Sequence, residues 1–489
     1  MRYISLFFCW FLVVFYAKAQ LPSVEMRGVW VATISNLDWP SANNLSVKEQ
    51  KNEVISILDF YEQHHFNCVF LQVRPSADVL YPSKYEPWSK FLTGEQGVKP
   101  KYNPLKFWIK EAHKRNIELH AWINPYRIAN SEKEPLSKDH PALKNKKWVV
   151  NYGGKKYYNP AIRECRAHVE NIVSEIVSKY DVDGIHFDDY FYPYPVNGEE
   201  FPDSIDFIPY KRKFQKIEDW RRDNVNKTIK ELHATIKKIK PYVQFGVSPF
   251  GVWRNKKDDS KGSETNAGVT NYDHLYADVF SWMQKGWVDY VIPQLYWSRN
   301  NGAVPFEHLT NWWGENSNGT NVYIGHAVYK LGNGKKDWDS VDEMIQQINI
   351  NRSDRLTSGS VFFRHEHLKQ NKFGFADSLK NSIYQYPALV PSINHQKVHT
   401  PTMISELKQK KQYLKWSYKN QKKQEVKGFA IYAILKGGEK QLVQILDKKK
   451  IELSDINLKG QNALGFQVTA INKFNNESEG SNIIWLSGV

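Results

Sequence analysis

The segment Val182-Asp183-Gly184-Ile185-His186-Phe187-Asp188-Asp189-Tyr190 ends a short apolar run with two adjacent carboxyl groups and places a histidine two residues before them. Carboxyl groups so placed do acid/base or nucleophilic chemistry when one is ionised and another holds a proton. A strand alternates its side chains. Ile185 and Phe187 suit the face that helices cover, which turns Gly184, His186 and Asp188 to the opposite face with Asp188 last. A lone aspartate at a strand end more often fixes a loop or caps a helix. The inward His186 favours catalysis for Asp188.

The same parity test on other runs collects further polar side chains. Gln72 and Arg74 share one face of Cys68–Arg74; His120, Trp122 and Asn124 share one face of 118–124; Gln294 and Tyr296 share one side of 290–297; Ser248 ends another run. One buried polar face is a structural network, whereas several converging on one mouth are a ligand site. Tyr126, Arg127, Trp253 and Trp297 follow strand ends and suit platforms for flat, polar ligands. His120, His186, His326 and His365 with Asp188 offer a competing reading, metal-dependent hydrolysis or deacetylation. The first strand carries no His-x-His, so no metal or cofactor is expected.

The elements that must position these residues alternate strand and helix from Glu25 to about Leu379, with strands expected at 26–33, 68–74, 118–124, 184–188, 243–248, 290–296, 322–327 and 360–363. Eight strands with crossover helices give the α/β class and a (β/α)8 TIM barrel. An open doubly wound sheet competes, but no glycine-rich phosphate turn follows the first strand. Ser46-Val47-Lys48-Glu49 is a capping box, and Asn103-Pro104 and Asn159-Pro160 each set a capping residue before a proline. The long connections after Arg127 and after Tyr190 leave the strand ends where barrels build active sites. Beyond Tyr386, prolines punctuate a linker, 387–400. Residues 401–489 then read as short strands without helices, a small all-β immunoglobulin-like sandwich with Trp416 and Tyr432 as core candidates. The barrel spans 25–386.

Several motifs in order carry a family resemblance: Glu25-Met26-Arg27-Gly28-Val29-Trp30, Gln72-Val73-Arg74-Pro75, Ala77-Asp78-Val79-Leu80-Tyr81, Tyr85-Glu86-Pro87-Trp88-Ser89, His120-Ala121-Trp122-Ile123-Asn124-Pro125-Tyr126-Arg127 and the Asp183–Tyr190 segment. Together they resemble the glycosyl-hydrolase-like family 10 barrel, while the tail resembles a fibronectin-type-III module. The resemblance implies a glycosidase acting on a polysaccharide or cell-wall glycan, and a bacterial relative is described as cutting peptidoglycan strands stripped of their peptides. In similar barrels the last aspartate of Asp-Gly-x-x-x-Asp is the nucleophile, which implies that role for Asp188. A second carboxyl is needed, ~5 Å away for retention or ~6.5–9.5 Å for inversion. Asp189 and Asp78, both inside the resembling motifs, rank ahead of Glu86 and Glu366. Arg364-His365-Glu366-His367 departs from the family's expected eighth strand. Another polysaccharide, or a glycan-binding barrel without catalysis, remains the alternative.

Composition bounds the rest. Met1–Arg2, the apolar run to Tyr16 and Ala17-Lys18-Ala19-Gln20 read as a cleaved signal peptide, 1–20, and hence a secreted or periplasmic protein with no membrane span. Cys68 and Cys165 then remain, expected as buried thiols. Aromatic residues make up 14 % of the chain, a bias that suits sugar stacking. Residues 395–489 hold 16 Lys against 8 Asp or Glu, more than half of the net +15. That tail suits an anionic polymer or simply a solvated surface. No nucleic-acid signature appears, and the oligomeric state is left open.

Overall fold

The computed structural model describes residues 21–393, 400–419 and 426–486; the expected signal peptide and part of the expected linker lie outside them. Parallel strands β1 (Met26–Val31), β2 (Cys68–Arg74), β3 (Glu118–Ile123), β4 (Gly184–Phe187), β5 (Gln244–Val247), β6 (Tyr290–Val291), β7 (two pieces, Asn321–Val322 and Ile324–His326) and β8 (Gly359–Phe362) pair in sequence order, and β8 returns to β1. The two ends of the sheet are the two pieces of β7, one on β6 and the other on β8. The sheet is thus a nearly closed barrel, with a bridge from Gln294 to Gly325 across the seam. β6 is shorter than the apolar run suggests because Pro293 has no N–H to give the ladder.

Outward side chains such as Val69, Leu71, Leu119, Ile185, Phe187 and Phe245 join the helices in one large buried cluster. Inward ones, including Trp30, Phe70, Trp122 and Tyr290, form a separate cluster inside the barrel. Among the helices, Val47–Gln63 starts at the Ser46/Glu49 capping box and Pro104–His113 starts at Asn103. The helix expected at Asn159-Pro160 begins later, at Arg163. Asn159 accepts from Ala161 N (3.0 Å) and donates to Asp206 (2.8 Å), which holds a turn ahead of the helix. Among the described residues no helix is long and apolar enough to cross a membrane, and Cys68 and Cys165 are buried free thiols.

The C-terminal unit holds seven strands: β9 (Glu406–Lys410), β10 (Tyr413–Ser417), β11 (Val426–Leu435), β12 (Lys440–Leu446), β13 (Lys450–Glu452), β14 (Ala463–Asn472) and β15 (Ile484–Trp485). They form two antiparallel sheets, β9-β10-β13 and β12-β11-β14-β15. Trp416 lies in the core between them. Tyr432 does not: alternation along β11 turns it to the other face, where it packs with Leu389 of the segment leaving the barrel. Contacts tie the unit to the barrel's N-terminal end. Lys427 pairs with Glu118 (2.5 Å), Lys473 with Asp181 (2.8 Å), Asn116 donates to Ile445 O (3.0 Å), and Tyr386 donates to Leu458 O (2.8 Å).

Candidate functional site

At the opposite, C-terminal end of the strands a cavity of about 520 Å3 opens. Nine residues expected at the site line it: Gln72, Trp122, Asn124, Arg127, Asp188, Asp189, Ser248, Gln294 and Tyr296. Asp188 is the residue after β4 and points inward by strand parity. Its Oδ2 accepts from the Trp122 indole (3.1 Å) and its Oδ1 from Tyr190 N (3.2 Å). Asp189 accepts from the Tyr194 hydroxyl. Burial, then the neighbouring Asp189 charge, pushes Asp188 up to about 7. Burial likewise raises Asp189 to about 6, against the pull of Tyr194, Gln294 and Arg127. Two carboxyls lining one cavity, both raised by burial, thus titrate near neutrality. The Arg127 guanidinium lies 4.5 Å over the Tyr190 ring and supplies the cavity's fixed positive charge.

The other expected residues sit elsewhere, each for a physical reason. A bulge between Gln72 and Arg74 shifts the β2/β3 register, so Gln72 stays inward opposite Trp122 while Arg74 pairs with Ile123 and turns to the helix side. There Arg74 binds Glu86 and the carbonyls of Asn124 and Pro125, and His168 completes the buried network (3.1 Å to Glu86). Glu86 is accordingly held down to about 2 by Arg74 and His168 despite burial, and is no acid. Asp78 is buried beneath the second βα-loop, bound by Gln96 (3.3 Å) and outside the cavity lining, although burial lifts it to about 7. Tyr126 faces outward and bonds Thr228 (2.9 Å). Trp253 stacks on Phe280 (4.9 Å) and Trp297 meets Phe250 edge-on (5.4 Å); both are wall packing. Glu366 is outside the lining, its backbone N bound by Asp38 (2.9 Å).

His120 and His186 point inward but lie below the cavity floor, fully buried. Ligand-type side chains that cluster are Cys68, Glu118 and His120, at the far end of the barrel, where Lys427 and His120 already engage Glu118. Parity and motif reading missed Ile34, Leu37, Tyr329, Phe363 and His367, which also line the cavity. They stand on the loops and short helical turns after β1, β7 and β8, where strand alternation no longer applies. The usable signal was their kind: large apolar or aromatic residues just past strand ends.

The profile described as Glycosyl hydrolase-like 10 matches residues 25–341. Glycosyl hydrolase YngK of Bacillus subtilis is 43 % identical over 96 % of this chain and 94 % of its own length. Glycosyl hydrolase DigH of Escherichia coli is 38 % identical over 72 % of this chain and 86 % of its own. Among solved structures, the catalytic domain of β-amylase from Paenibacillus polymyxa superimposes with a TM-score of 0.50 at 10 % identity, over 75 % of this chain and 99 % of that one, a likeness of fold alone.

Proposed function

Since the chain belongs to the Glycosyl hydrolase-like 10 family and is a glycoside hydrolase, we propose that its cavity cleaves glycosidic bonds in a bacterial cell-wall or related amino-sugar glycan, with Asp188 and Asp189 as the reacting pair. The observation that carries this reading is two buried carboxyls pushed to about 7 and about 6 within a cavity walled by rings. One shared proton gives both reagents. The ionised member attacks the anomeric carbon or takes a proton from water, and the protonated member passes its proton to the leaving oxygen. Tyr190, Tyr296, Tyr329 and Phe363 offer faces for sugar rings. Arg127 suits a carboxylate on the glycan, such as the lactyl group exposed when a stem peptide is removed. The C-terminal unit reads as a fibronectin-type-III-like domain following a linker, and residues 1–20 as the signal that delivers the enzyme outside the cytoplasm.

The test is incubation with purified glycan strands, with and without stem peptides, followed by mass analysis of products and their reducing ends. Cleavage confined to peptide-free strands supports the reading. Cleavage of unrelated polysaccharides instead moves the substrate class, and binding without products leaves a glycan-binding barrel.

A further inference from the structure

A single file of hydrogen bonds runs through the barrel from the docked C-terminal unit to the cavity floor. Lys427 of β11 donates to Glu118 Oε1 (2.5 Å) at the start of β3, and Glu118 Oε2 meets His120 Nε2 (3.2 Å). His120 Nδ1 meets the Tyr290 hydroxyl (2.8 Å), which meets His186 Nδ1 (3.2 Å). His186 Nε2 receives the Trp30 indole N–H (3.1 Å) and lies 3.1 Å from Ser248 Oγ. Trp30 and Ser248 line the cavity with the aspartates, and Gln294 binds both Ser248 O (2.9 Å) and Asp189.

With both rings neutral and Glu118 ionised, the indole at one end and the carboxylate at the other leave one arrangement. An indole N–H and an ammonium can only donate. Trp30 therefore makes His186 Nε2 an acceptor, so in the neutral ring Nδ1 carries the hydrogen and donates to Tyr290. Tyr290 must then donate to His120 Nδ1, and His120 Nε2–H to a carboxylate oxygen of Glu118. Burial holds His186 well below its ordinary range, in keeping with a neutral ring. Against burial, the Lys427 charge and the hydrogen bond from His120 hold Glu118 down to about 2. Room for the rings is built in: a Cβ on Gly184 would stand 2.3 Å from His120 and one on Gly246 2.2 Å from Tyr290.

We propose that Lys427 is a positioning residue for the barrel's active site: by pairing with Glu118 it fixes the direction of donation through His120, Tyr290 and His186, and so sets the Trp30 indole and the Ser248 hydroxyl beneath the aspartates. Without the ammonium, Glu118 loses its charge partner in a buried place and takes up a proton. A neutral acid can donate to His120, the chain can reverse, and His186 Nε2–H then confronts the Trp30 N–H, donor against donor. The indole must shift.

Nitrogen-15 spectra of histidine- and tryptophan-labelled full-length protein read this directly. Wild type is expected to show His120 protonated at Nε2 and His186 at Nδ1. Lys427→Met and Glu118→Gln should each give mixed tautomers and a moved Trp30 indole resonance, while Lys427→Arg keeps the wild-type pattern. Lys473→Met, which removes the other ion pair of the same interface, controls for loosened docking. Unchanged tautomers in folded Lys427→Met, or an equal change in Lys473→Met, overturn the proposal. On peptide-free glycan strands, kcat of Lys427→Met should fall roughly tenfold or more with KM little changed. If wild type does not cleave those strands, the substrate reading fails while the spectra still decide the relay.

Discussion

Asp188 and Asp189 differ by one position in the chain and share one cavity, so their titrations belong to the pair. With the two pushed to about 7 and about 6, the rate should be bell-shaped in pH with its maximum near neutrality, and a flat profile between pH 5 and 8 would remove the shared proton from the mechanism. Asp188→Asn should fold and lose turnover by about a thousandfold or more, since an amide neither attacks nor transfers that proton. Stability carries a second signature. The fold raises Asp188 above its ordinary value, so the native state holds more protons than the unfolded one between about 4 and 7, and stability falls as pH rises through that window. Asp188→Asn should therefore stabilise the protein at pH 8, on the order of 2 kcal/mol, and do little at pH 4. Denaturant melts at both values check the sign. At this scale the sequence was legible where alternation held, as at Asp188, Asn124 and Gln294. It misled at Arg74, because an extra residue in β2 reverses every later side chain and leaves no mark in composition.

For the strands, alternation located all eight barrel members, but it does not mark where a strand breaks; Pro293 and the break at Tyr323 shortened two of them. Nor does it separate a residue that lines the mouth from one that fills the layer beneath, so by alternation alone His120 and His186 look like ligand contacts. Depth inside a barrel depends on strand stagger, a property of pairs of strands rather than of any one. The layer below the mouth admits a sharp test. Gly184→Ala puts a methyl 2.3 Å from the His120 ring, walled in by other strands, and should cost ~1–3 kcal/mol by overpacking. Gly154→Ala controls for the surface: its Cβ has open space, so the penalty there comes from its positive φ alone. Equal losses in denaturation would show that the barrel interior has more room than the contacts indicate.

At the scale of the whole chain, the charge excess of the tail suggests a surface free to meet an anionic polymer or solvent. Two of its lysines, Lys427 and Lys473, are instead committed to the barrel, and Arg27 of β1 binds the Tyr386 carbonyl at the exit (2.6 Å). Deleting everything after Tyr386 should therefore lower the melting temperature and slow turnover even on short substrates. Full activity of a truncated barrel would show that the docking is passive. Other described lysines of the tail, such as Lys411, Lys436 and Lys448, face solvent, so sedimentation with insoluble cell wall should weaken as salt shortens the Debye length to ~8 Å and below. Identical salt curves for Lys→Gln variants of the exposed tail would remove that attraction.

The pairing of β1 with β8 also sets a timetable. Met26 waits for Gly359, 333 residues later, and Glu25 N for Leu389 O, so the first strand leaves the ribosome with one of its two neighbours far from made. At roughly 5–20 residues per second the delay is on the order of half a minute. For that interval the half-barrel presents a raw strand edge. Such a chain depends on a holding factor, or on finishing its folding after release, far more than its final compactness suggests.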